Sequence, residues 1–118
     1  ALPISRADKS PVTSIDHNQY TVDGLSYQAN YASGLRIVDV SQVSSGGTAA
    51  SMSEVAFFDV RPEDNVIDFL CVPFFSLSRS VWLADEKCSG AWNVYPYFKS
   101  GYLLINSIER GAFVVKRQ

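Results

Sequence analysis

The sequence is poor in the side chains from which most catalytic and metal sites are assembled. It holds one histidine, His17, and two cysteines, Cys71 and Cys88. A zinc site takes three or four protein ligands, so neither a metal nor any other cofactor is expected. Charge is scarce as well. Only 19% of residues are charged, and ten Lys and Arg against twelve Asp and Glu leave a formal net charge of −2 with no block of one sign. That balance excludes binding to a nucleic-acid backbone, which needs a basic face. No apolar run approaches the roughly 20 residues of a membrane span. The nucleophile-elbow pattern is missing, and the acidic residues Glu63, Asp64 and Asp68 lack the spacing of a calcium loop, so they read as a solvated turn. No Asn-x-Ser/Thr sequon is available to indicate a compartment.

Apolar material is plentiful. Hydrophobic residues make up 47% of the 118-residue chain and aromatic residues 13%, enough for one domain with a core and too much for disorder throughout. The chain starts Ala1-Leu2-Pro3 without a Met and reads as a processed product or a fragment. Residues 1–14, with two prolines and many small polar side chains, read as a linker or peripheral strand. From Asp16 the pattern is one of short strands and tight turns. Asn18–Val22 runs into Asp23-Gly24, a type I′ hairpin dipeptide. Leu25–Tyr31 alternates, Ala32-Ser33-Gly34 turns, and Leu35–Val40 is rich in β-branched residues. After a Gly/Ser-rich loop, Glu54–Val60 forms a fourth strand stopped by Pro62. Four consecutive antiparallel strands have the form of a propeller blade.

The same order recurs downstream as Trp92–Phe98, Tyr102–Ser107 and Ala112–Val115. Gly24 and Gly34 reappear as Gly101 and Gly111, both offset by 77. The segments from Asn30 to Val38 and from Asn106 to Val115 align with one extra residue in the second turn. This internal repeat is the strongest single signal. A spacing of 77 exceeds the usual 40 to 50 residues of a blade, and two insertions account for the excess: the loop 41–53 and the stretch 71–89. Ser76–Lys87 within the latter has a weak helical pattern and is the one helix candidate.

The phrases Ile15-Asp16-His17-Asn18 and Tyr31-Ala32-Ser33-Gly34-Leu35-Arg36-Ile37-Val38-Asp39-Val40-Ser41 resemble the LVIVD repeat. Val55–Asp59, Gly90–Gly101 and Ile108–Val115 are similar to the C-terminal end of secreted proteins of the choice-of-anchor B type that are built from such repeats. The resemblance covers about 15–70 and 90–115. It implies an extracellular or cell-surface β-propeller with a non-enzymatic binding or structural role and an undefined protein or carbohydrate partner. Two departures stand out: the chain holds about two blades where a closed propeller needs four to eight, and 71–89 has no counterpart in the family pattern.

The expected architecture is therefore all-β. Residues 15–60 form one antiparallel, four-stranded propeller-like blade, 71–89 an insertion, and 90–118 a second, incomplete blade. Two blades leave sheet faces uncovered, which requires self-association as a homo-oligomer, further chain as part of a longer propeller, or collapse into a sandwich. Asp16, His17 and Asn18 form the one acid–imidazole–amide cluster, and the first strand of a propeller blade faces the central channel. These three are accordingly the candidate ligand-binding residues there, against the plainer reading of hydrogen bonds satisfied at a strand start. No catalytic residues are assigned. The enzyme alternative is a hydrolase or metal-dependent activity centred on Asp16-His17, and a third reading is a truncated gene product without independent function. Cys71 and Cys88, 17 apart, are a disulfide candidate in an oxidising compartment and two thiols elsewhere. Trp92, Tyr95, Tyr97, Phe98 and Tyr102 are expected in core between neighbouring blades, with Trp92 and Val94 on one face and Tyr95 and Tyr97 on the other.

Overall fold

The structure is a computed structural model that describes residues 14, 16–47, 51–62 and 89–117. The expectations for 1–13, the acidic cluster at Glu63, Asp64 and Asp68, the helix candidate Ser76–Lys87 and the cysteine pair Cys71 and Cys88 lie outside these residues. Seven strands make two antiparallel meanders. The first sheet contains β1 (Asn18–Val22), β2 (Leu25–Ala29), β3 (Leu35–Asp39) and β4 (Ser53–Phe58), in that order. The second contains β5 (Ala91–Tyr95), β6 (Tyr102–Ser107) and β7 (Gly111–Lys116). Both sheets form where alternation and turn residues place them. Asp23 and Gly24, at φ of 49° and 76°, make the turn with left-handed backbone that joins β1 to β2 with no slip in register. Between β3 and β4 a single-turn 3-10 helix, Val43–Ser45, occupies part of the Gly/Ser-rich loop.

Pairing registers define the faces. Tyr20, Tyr27, Ile37 and Ala56 lie across the first sheet, and Ala29, Leu35 and Phe58 beside them. Val94, Ile105 and Phe113 lie across the second, flanked by Leu103 and Val115. These two rows face each other. Ala29, Leu35, Ile37, Val94, Leu103 and Ile105 form one buried cluster together with Val60 and Ala91. The driving force is removal of these side chains from water, at roughly 25 cal/mol per Å2 of apolar surface.

The repeat and the packing together show how the sheets are related. Ala29 pairs with Leu35 and Asn106 with Ala112, so the offset of 77 runs unbroken through β2, the turn and β3. The extra residue expected in the second turn is not there, because Asn30 corresponds to Ser107 and not to Asn106. The four repeat glycines, Gly24, Gly34, Gly101 and Gly111, share φ between 73° and 77°. Adding 77 to the core-facing residues Tyr27 and Ile37 gives Leu104 and Val114, which lie on the outer face of the second sheet. Subtracting 77 from Leu103, Ile105 and Phe113 gives Ser26, Gln28 and Arg36, on the outer face of the first. Equivalent faces therefore do not meet. One sheet's front packs on the other's back, a head-to-tail relation and not a two-fold sandwich.

The two outer faces differ in chemistry. On the first sheet Gln28 donates to Gln19 and Ser26, and Asn30 donates to Gln28, in a row of amides and hydroxyls. Beside it Arg36, 5% exposed, donates to both Glu54 carboxylate oxygens and to the Ser33 carbonyl, with Phe57 stacked on its guanidinium. On the second sheet Tyr95, Leu104 and Val114 lie in one cross-strand row, and Val114 is 67% exposed. The core placement expected for the aromatic segment is corrected here. Trp92, Tyr95, Tyr97, Phe98 and Tyr102 are each almost half exposed, and over Tyr95 and Tyr102 on the outer face of β5–β7 no sheet lies among the described residues.

Candidate functional site

The sheets are tied at the edge where their first strands converge. Tyr31 and Ala91 exchange both backbone hydrogen bonds, each 2.9 Å, as an isolated antiparallel bridge. The approach is close enough to need glycine at Gly90, where a Cβ would sit 2.3 Å from the Tyr31 carbonyl oxygen. Tyr31 itself takes φ of 45°, and burial raises its phenol pKa.

A bulge sets the next feature. Ala91 pairs with Ser107 and Asn93 with Asn106, so Trp92 is the additional residue on β5. Its side chain leaves the strand alternation and meets His17, whose backbone N–H bonds the Ala29 carbonyl just ahead of β1. The imidazole packs between Tyr31 and Trp92 at centroid distances of 4.7 and 4.2 Å, with the two aromatic rings edge to face at 5.9 Å. His17 Nδ1 lies 2.7 Å from the Trp92 carbonyl oxygen. A carbonyl only accepts, so Nδ1 is the donor, and the contact fixes the direction in which Nε2 points.

Of the three residues expected at this edge, His17 stands at its centre. Asp16 is exposed, and Asn18 is half-buried and opposite Ala29 at the start of β1. The partners that gather around His17 are Tyr31 and Trp92, which the linear sequence did not associate with it. The signal for Tyr31 lies in its place within the turn before Gly34. For Trp92 the sequence holds none, because a bulge depends on how two strands register. Among the described residues no three His, Cys, Asp or Glu side chains converge, and no helix is long and apolar enough to cross a membrane.

Two further features complete the picture, one beside this edge and one away from it. The Glu109 carboxylate accepts from the Gly90 N–H, the Ser107 hydroxyl and Arg61, all within 3.0 to 3.1 Å. Desolvation pushes its pKa up, and these donors together outweigh it, leaving the pKa below the ordinary glutamate value. At the opposite side of the sheets, a cavity of about 510 Å3 opens between β4 and β7. Comparison with protein-family models, curated proteins and solved structures found no match to this chain.

Proposed function

We propose that the chain is a non-enzymatic binding module of two consecutive propeller-type blades, acting outside the cell or at its surface. Its recognition surface is the edge formed by His17, Tyr31 and Trp92. The observation that carries this reading is the head-to-tail packing of two repeat-related meanders, with the starts of β1 and β5 adjacent. That is how neighbouring blades stand in a propeller, whose first strands line the central channel. A protein or carbohydrate ligand suits the chemistry. The half-exposed Trp92 indole offers a flat apolar surface, and His17 adds a ring nitrogen, Nε2, held in a set direction. The apolar outer face of β5–β7 is where a following blade would pack. The polar outer face of the first sheet matches that surface poorly, which favours a longer propeller over a ring of identical copies.

The orientation of His17 by a carbonyl is also what a general base needs, so the hydrolase alternative centred on Asp16-His17 is tested with the same protein. The experiment is an NMR titration with neutral oligosaccharides and short peptides, alongside an assay with activated esters. Expected are saturable shifts at His17, Tyr31 and the Trp92 indole that weaken at least about tenfold in Trp92→Ala. Shifts centred elsewhere, or ester hydrolysis that disappears in His17→Ala, would sink the binding-module reading.

A further inference from the structure

The cavity between β4 and β7 measures about 510 Å3, within the roughly 300 to 1,000 Å3 of small-molecule pockets. Its walls are apolar. Ile37, Ala56 and Phe58 line it from the first sheet, and Leu103 and Val115 from the second. Val55 borders it too. Ile37 pairs with Ala56 and Val38 with Glu54, so Val55 is the additional residue of a bulge that bends β4 here. At one end Phe58 packs on Phe113, with ring centroids 5.8 Å apart, which joins the two walls. At the other end the lining passes to Lys116 and Arg117, both exposed. Their charges are disposed differently. Lys116 pairs with Tyr102, and its ammonium lies 5.3 Å from the Tyr102 ring centroid on the outer face of the second sheet. Arg117 falls on the same side of the chain as Val115, towards the cavity. Among the described residues no acidic side chain lines this space. An apolar cavity thus ends at a guanidinium.

We propose that this cavity binds a monomeric, single-chain fatty carboxylate, with its alkyl chain between the sheets and its carboxylate on Arg117. A guanidinium is the planar cation that holds a carboxylate through two parallel hydrogen bonds. Arg117 lies four residues beyond Phe113, about 13 Å of strand. An extended alkyl chain with bonds of about 1.5 Å spans that distance with roughly ten carbons, so decanoate is the expected fit. The proposal rests on the cavity alone and is independent of the edge at His17.

The test is a methyl and amide NMR titration of the whole chain with hexanoate, octanoate, decanoate and tetradecanoate, each below its micellar concentration. Expected are saturable shifts centred on Ile37, Ala56, Leu103 and Val115. Affinity should rise about fourfold per added methylene, the equivalent of about 0.8 kcal/mol, and level off near the length of decanoate. Decyltrimethylammonium should bind at least about tenfold more weakly than decanoate, and Arg117→Glu, a change at an exposed residue, should reverse that order. Affinity that keeps rising to tetradecanoate, or shifts centred on Trp92, Tyr95 and Tyr102, would overturn the proposal in favour of adsorption to exposed aromatic side chains. No shift at millimolar decanoate, or equal binding of the anionic and cationic chains, would overturn it as well. Cosedimentation with phosphatidylglycerol vesicles without a response to decanoate would assign Arg117 to a membrane surface and overturn the free ligand.

Discussion

Tyr31 and Ala91, sixty residues apart in the chain, are joined by two backbone hydrogen bonds of 2.9 Å that hold the first sheet to the second. Everything at the candidate site hangs from this bridge. It brings the start of β5 against the turn after β2, and the bulge that follows turns Trp92 towards His17. The bridge itself depends on the absence of a side chain at the preceding residue.

Gly90→Ala therefore tests the junction. Its φ of 87° is unfavourable for alanine, and the new Cβ would press on the Tyr31 carbonyl. A loss of about 3 kcal/mol is expected in urea denaturation. A loss under about 0.5 kcal/mol, the range of an ordinary surface change, would show that the sheets do not meet there.

Ile37 and Val114 are repeat equivalents in opposite environments, 2% and 67% exposed. Ile37→Ala should cost about 2 to 4 kcal/mol, and Val114→Ala less than about 0.5. Equal costs would mean that equivalent faces are buried alike.

Arg36 and Glu54 form an ion pair with side chains only 7% and 14% exposed. Glu54→Ala strands a buried guanidinium and should cost about 3 kcal/mol, whereas the double variant R36M/E54L should recover most of that loss. Thermal melts of the two variants check this, and a double variant no more stable than the single one would contradict it.

Glu109 has a folded pKa below its ordinary value. A depressed carboxylate contributes stability that is present in full above the unfolded pKa and is lost as pH falls through the folded one. Stability should thus fall on acidification below the ordinary glutamate range, and Glu109→Gln should flatten that fall. The carboxylate is partly exposed, so the effect at neutral pH is small, about 1 kcal/mol. Denaturation midpoints across the acid range, with and without the substitution, provide the check.

Much of this architecture was legible beforehand. Strands β1 and β6 form at the expected residues, and the others within three residues of the expected ends, because alternation and the turn glycines are local signals. The asymmetry between the outer faces was only partly so. Leu103 and Phe113 in one repeat stand where Ser26 and Arg36 stand in the other, and the sequence shows the substitution without showing which side is covered. The exposure of Tyr95 and Tyr102 was missed for that reason: apolar alternation specifies two faces and is silent on whether a neighbour is present. The Trp92 bulge, and with it the His17 cluster, arises from strand register and left no trace in the linear pattern.

Methyl NOEs between the sheets test the head-to-tail relation most directly. The account predicts contacts from Leu35 and Ile37 to Leu103, Ile105 and Val115, with none to Leu104 or Val114. Contacts from Ile37 to Leu104 and Val114 would place equivalent faces together, making the molecule a two-fold sandwich and contradicting the head-to-tail packing on which the proposed binding edge rests.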